Sequence, residues 1–222
     1  MIERYFIKGA RFKWNAPGAV ASHVRDGSII VNPAAPPAPM TYVGLDGEIV
    51  DWGLPNVSTL GFQMNMAIPY SWLAYVLGRT AKIGTAGDVL TGFMSGCLIT
   101  TWTDAGGRWV GHVGTVESAG KDQPPNSDVK LTFSQAMPAN TRGFNPAAAW
   151  GPEELMPLVR ASKAPISAKV MALVTGGGQF YAVAMLNRTS EPGIWVCGGK
   201  KQVAGMDVNG LATALAVNRP RR

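Results

Sequence analysis

The chain has 222 residues, 46% of them hydrophobic and 15% charged, with a net charge of +6. That length buries one sizeable core without requiring a second, so a single domain over 1–222 is expected, and the apolar share excludes a disordered chain. Two cysteines and two histidines are too few for a disulfide framework or a closed zinc site and no HExxH or CxxC spacing occurs, so no metal or cofactor is expected, although one Cys97–Cys197 bridge stays open.

The N-terminal run Met1-Ile2-Glu3-Arg4-Tyr5-Phe6-Ile7-Lys8 has no apolar stretch after its basic residues and no small-residue cleavage site, so it does not read as a secretory signal. Basic residues concentrate only at 4–13, 200–201 and 219–222, and this scatter argues against a nucleic-acid surface. Residues 32–39 hold four prolines and must be extended, a surface connection. Strands are expected at 42–52 and 60–67. The nearly uncharged stretch 50–77 contains Asp51, Asn56, Gln63, Asn65 and two prolines, so no membrane span is expected.

Helices are expected at 70–77, with Trp72, Tyr75 and Val76 as core, and at 88–93. Strands follow at 97–103 and 109–116, then a loop at 118–128, a strand at 129–133 and a loop at 136–149. A helix at 152–162, strands at 168–175, 180–186 and 194–197, and a helix at 207–217 capped by Asp207 complete the chain. Gly176-Gly177-Gly178 lies between two strand patterns and reads as a hairpin turn, since no phosphate-loop lysine follows. Strands outnumber helices and do not alternate with them, which predicts an α+β fold: a β-sandwich of largely antiparallel strands flanked by short helices and long loops.

The chemistry concentrates in Thr91-Gly92-Phe93-Met94-Ser95-Gly96-Cys97 and the hairpin that follows. Two apolar, β-branched runs flank Asp104-Ala105-Gly106-Gly107. A two-residue loop at Asp104-Ala105 would set Cys97 opposite His112, and a four-residue loop would set them diagonally on one face. A loop of three or five residues, or a bulge, would separate them. Taken singly, Cys97 reads as a buried structural cysteine and His112 as an ordinary strand histidine. Paired, they form a nucleophile and its base, with Ser95 and Gly96 leaving room for a backbone amide to reach an oxyanion.

Met94-Ser95-Gly96-Cys97 resembles the Leu-Ser-Gly-Cys motif of the cytotoxic necrotizing factor and Burkholderia lethal factor deamidase toxins, with methionine in place of leucine. In those toxins too, the histidine follows after a strand, a turn and a second strand, and Thr91-Gly92-Phe93 resembles the run that precedes the lethal-factor motif. The likeness spans roughly 91–113. It implies a Cys-His centre on a β-sandwich, completed by Thr91, that converts a glutamine of a host protein to glutamate. The targets it implies are a Rho-family GTPase or a translation-initiation helicase, reached by a secreted effector acting in the host cytoplasm. Transglutamination is the same acyl-enzyme intercepted by an amine.

Two rivals stand beside this reading. Gly111-His112-Val113-Gly114 resembles the histidine segment of NlpC/P60 cysteine peptidases, whose nucleophile begins a helix. A non-catalytic binding sandwich would use the seven tryptophans and Gly-rich turns to hold a partner. Cys197 with His23 is a fallback pair, and Asp104 serves the turn.

Overall fold

The computed structural model describes residues 2–53, 57–94, 96–115, 126–161 and 166–217. Among them, thirteen strands form two sheets. The strands are β1 (Ala10–Lys13), β2 (Ile29–Val31), β3 (Met40–Leu45), β4 (Ala67–Ile68), β5 (Ser71–Trp72), β6 (Thr80–Gly84), β7 (Val89–Thr91), β8 (Leu98–Asp104) and β9 (Gly107–Val113). After these come α1 (Asn126–Ala136), β10 (Arg142–Phe144), α2 (Pro152–Ala161), β11 (Ile166–Val174), β12 (Phe180–Arg188), β13 (Ile194–Val203) and α3 (Val208–Val217).

One sheet has eight strands in the order β4-β3-β1-β13-β12-β11-β7-β5, and the other has five in the order β10-β8-β9-β6-β2. Neighbours run antiparallel except at β2–β6 and β5–β7. The α+β sandwich expected from the sequence is therefore present.

Alternation of side chains explains the layering. On β11 and β12, Val170, Ala172, Val174, Phe180 and Ala182 share a core with Ile99 and Val110 of the five-stranded sheet. Their alternates Met171, Leu173, Tyr181, Val183 and Met185 face the other way, into an aromatic cluster with Phe6, Phe12, Trp14 and Trp195. The large sheet is thus buried on both faces, which is why its strands read as continuous apolar runs. Leu98, Trp102 and Val113 on the outer face of the small sheet are covered by Val129 and Phe133 of α1 and Leu215 of α3.

Several expected elements take another form. Residues 129–133 are helical, not extended. Val129 and Phe133 recur four apart and are buried, whereas Leu131, which an alternating strand would bury with them, is 38% exposed. Residues 70–77 are not a helix: Leu73 N–H donates to Leu90 O and Ala74 N–H to Asn32 Oδ1, so the backbone bonds run to neighbouring segments. Trp72 and Val76 are core nonetheless. Residues 88–93 carry β7, in which Thr91 pairs with Ala172.

The strand expected over 42–52 ends at Leu45, where Asp46 Oδ1 accepts the N–H groups of Glu48 and Ile49 in a tight turn. Of 60–67 only the end is a strand, after a 3-10 turn at Val57–Leu60. The loop expected at 136–149 includes β10. Residues 116, 118–125, 162 and 219–222, which carry the end of one expected strand, a loop, a helix end and a basic cluster, lie outside the described residues. The hairpin turn at 176–178 and the Asp207 cap, whose Oδ1 accepts Gly210 N–H at 2.9 Å, form as expected.

Candidate functional site

The hairpin of β8 and β9 closes through Ala105-Gly106, with Asp104 paired to Gly107. Asp104 Oδ1 accepts the Gly106 N–H at 2.7 Å and the Trp109 indole N–H at 2.8 Å, so this carboxylate serves the turn. The register sets His112 opposite Ile99, which leaves Cys97, one residue before β8, diagonal to His112 on the same face. Both face the core between the sheets, where Cys97 packs with Ile99 and Val110. Of the pairings open to the hairpin, the structure has the diagonal one.

Thr91 meets His112 from the opposite sheet. On β7, Val89 faces the inter-sheet core and Leu90 the aromatic cluster, so Thr91 faces inward again. Its Oγ1 lies 2.6 Å from His112 Nδ1. The imidazole stacks on Tyr75 with ring centroids 5.2 Å apart, and the Tyr75 hydroxyl donates to the Thr115 carbonyl. Thr115 in turn places Oγ1 3.5 Å from Cys97 Sγ. His112 Nε2 is buried and has no hydrogen-bond partner among the described residues. Thiol and imidazole therefore share a face and a set of neighbours without a hydrogen bond between them.

Burial governs the electrostatics. His112 is fully buried, and desolvation of its charged form pulls its pKa down to about 3, so the ring is neutral at ordinary pH. Cys97 is 4% exposed, and burial pushes its thiol up, partly offset by the hydrogen bonds of Thr115 and the charge of Lys130. Lys130 is itself 4% exposed, and burial lowers its pKa against the opposing effect of Cys97.

Two cavities flank the segment that carries the thiol. One of about 440 Å³ is lined by Gly96, Leu98 and Lys130. Another of about 440 Å³ is lined by Phe93, Met94 and Lys169. Among the described residues a methyl group at Gly96 would meet nothing closer than Thr115 Oγ1 at 3.9 Å, so this glycine leaves room toward the first cavity. Ser95 lies outside the described residues.

Nothing in the sequence marks Thr115, Tyr75 or Lys130 as residues of this candidate site. Thr115 ends an apolar run, Tyr75 reads as core, and Lys130 reads as an exposed strand position until the segment is known to be a helix. Cys197 is fully buried in the aromatic cluster and His23 is exposed, so the fallback pair does not assemble. Both cysteines are free thiols. Cys97 leads into a strand and not into a helix, unlike the NlpC/P60 nucleophile.

Among the described residues no group of three His, Cys, Asp or Glu side chains gathers as a metal ion would need, and no helix is long and apolar enough to cross a membrane. Compared with models of known families, with curated proteins and with solved structures, the chain matches none.

Proposed function

We propose that the chain is a glutamine deamidase in which Cys97 is the nucleophile, His112 its base and Thr91 the group that orients the imidazole. The observation that carries this reading is the lopsided satisfaction of His112. A buried structural histidine ordinarily satisfies both ring nitrogens, because an unpaired buried polar atom costs about 1–3 kcal/mol. Here Nδ1 is bound by Thr91, and Nε2 has no partner among the described residues on a strand face that His112 shares with Cys97. With Nδ1–H donated to Thr91 Oγ1, Nε2 presents its lone pair as a base.

In the reaction, Nε2 takes the Cys97 proton and the sulfur attacks the carboxamide carbon of the glutamine side chain. Backbone amides around Cys97 stabilise the oxyanion. The imidazolium then protonates the departing nitrogen, which leaves as ammonia. The neutral ring deprotonates water, which attacks the thioester and releases glutamate and the thiol. Reaction requires the segment 94–97 to shift between its flanking cavities so that the thiol, buried in this structure, meets substrate and imidazole together. The deamidase toxins that this segment resembles point to a host regulatory protein as substrate, a Rho-family GTPase or a translation-initiation helicase, and to an effector delivered into the host cytoplasm.

The burial of both residues favours a second reading, a non-catalytic β-sandwich in which Cys97 and His112 are core. One experiment separates them: the chain is incubated with purified candidate GTPases and translation factors and the products are mapped by peptide mass spectrometry. Deamidation at one glutamine with the wild type, and none with Cys97→Ser, supports the enzyme. Identical products from the two, against folded substrates, leave the binding sandwich.

A further inference from the structure

The cavity beside Cys97 has an unusual composition. Most of its wall is apolar, including Leu98, Phe144, Val203 and Met206, and among the described residues its only ionisable lining residue is Lys130. Lys130 is almost wholly buried, held on α1 next to Val129, which packs on the outer face of the small sheet. Among the described residues no carboxylate forms an ion pair with its ammonium, which opens on the cavity. Asn145 adds a second polar group to the wall: its Oδ1 accepts the Ala147 N–H at 3.0 Å, which leaves its NH₂ to donate. At about 440 Å³ the cavity lies in the size range of small-molecule sites, roughly 300–1,000 Å³.

An apolar chamber whose one cation has no carboxylate partner among the described residues selects a ligand with an apolar body and one negative charge. A phosphate would bring more charge than one lysine and one amide can balance, and a neutral amphiphile would leave the ammonium unpaired. We propose that this cavity binds a medium-chain aliphatic carboxylate, its chain against Leu98, Phe144 and Met206 and its carboxylate on Lys130 and Asn145. The site stands apart from the deamidase reading, because its occupancy is measured without any amide substrate. Its place beside Gly96 and Cys97 means that a bound chain would restrain the segment that carries the thiol.

The test is calorimetric titration of the full chain with octanoate, octan-1-ol and octylamine. Octanoate is expected to bind, and to bind more tightly than the alcohol or the amine. Lys130→Met is expected to weaken octanoate at least about tenfold, the worth of a charged hydrogen bond, and not to weaken the alcohol, so that the preference for octanoate is lost. Lys130→Arg keeps the preference for octanoate. Ala148→Phe, which fills the cavity from another wall, abolishes binding of all three. Thermal melting establishes that each variant is folded. Octanoate binding no better than octan-1-ol in the wild type overturns the proposal, as does undiminished octanoate binding by folded Lys130→Met or Ala148→Phe. If Lys130→Met does not fold, the wild-type preference and Ala148→Phe decide.

Discussion

Thr91 Oγ1 and His112 Nδ1, 2.6 Å apart, join the two sheets of the sandwich through a buried side-chain hydrogen bond. Thr91 lies on β7 of the large sheet and His112 on β9 of the small one, and each is 0% exposed. With both partners out of water, losing one leaves the other unsatisfied. Thr91→Val, nearly the same shape, is therefore expected to cost about 1–3 kcal/mol. Thr91→Ser keeps the hydroxyl and is expected to lose less, through the missing methyl alone. Urea denaturation midpoints check this, and a Thr91→Val protein as stable as wild type would show that the bond contributes nothing.

The neutral state of His112 makes stability depend on pH. Its folded pKa, about 3, lies below the 6.5 of an exposed histidine. Between these values the unfolded chain binds a proton that the folded chain excludes, so the contribution is full above pH 6.5 and falls as the pH drops toward 3. The slope from this one group reaches at most about 1.4 kcal/mol per pH unit. In His112→Phe that component is absent while the acidic groups still titrate. Denaturation free energies measured from pH 7 to pH 4 are expected to fall more steeply for wild type than for His112→Phe. Parallel curves would show that the ring is protonated in the fold.

The candidate site is legible in the sequence to the extent that it follows from strand periodicity. A turn rich in Gly between two β-branched runs fixed a hairpin, and alternation then put Cys97 and His112 on one face once the register was even. Motif resemblance points to Thr91, although the sequence pattern places it in a helix. Its three-residue strand is too short to show a period, and pairing with β11 on one side and β5 on the other holds it extended. Lys130 was hidden because Val129-Lys130-Leu131-Thr132-Phe133 satisfies both a two-residue and a four-residue spacing. Tertiary packing chose the helix by burying Val129 and Phe133 and leaving Leu131 out. Sequence alternation also carries no information on which side chains cross between sheets, so the partners Tyr75 and Thr115 could not be foreseen.

Burial should make both thiols slow. Cys97 is pushed above the ordinary thiol range chiefly by desolvation, and Cys197, fully buried, is pushed up to about 12. Folded protein at pH 7.5 is expected to react with a disulfide reagent many times more slowly than the same protein in denaturant. Cys97, nearer the surface, is expected to react before Cys197. Mass spectrometry of the labelled peptides assigns the order. A fast, stoichiometric reaction at Cys97 in the native state would mean that the thiol is already exposed or ionised in solution, contrary to this structure.

Two glycines beside the site are expected to behave oppositely. A Cβ on Gly114 would stand 2.2 Å from the Val76 carbonyl oxygen and 2.7 Å from that of Arg79, both backbone atoms. Gly114 N–H donates to Arg79 O at 2.9 Å, and its own carbonyl accepts Gly78 N–H at 3.2 Å, so neither segment can withdraw without breaking a bond. Gly114→Ala is accordingly expected to cost about 1–3 kcal/mol or more, as overpacking does. Among the described residues Gly96→Ala meets only Thr115 Oγ1, at ordinary van der Waals distance, and is expected to stay within about 0.5 kcal/mol of wild type. Its methyl group would nevertheless intrude on the room beside the thiol. The deamidase reading therefore predicts that Gly96→Ala keeps the wild-type melting temperature and loses turnover of the target glutamine. Equal turnover by folded Gly96→Ala would show that the open space at this glycine is not used by the substrate.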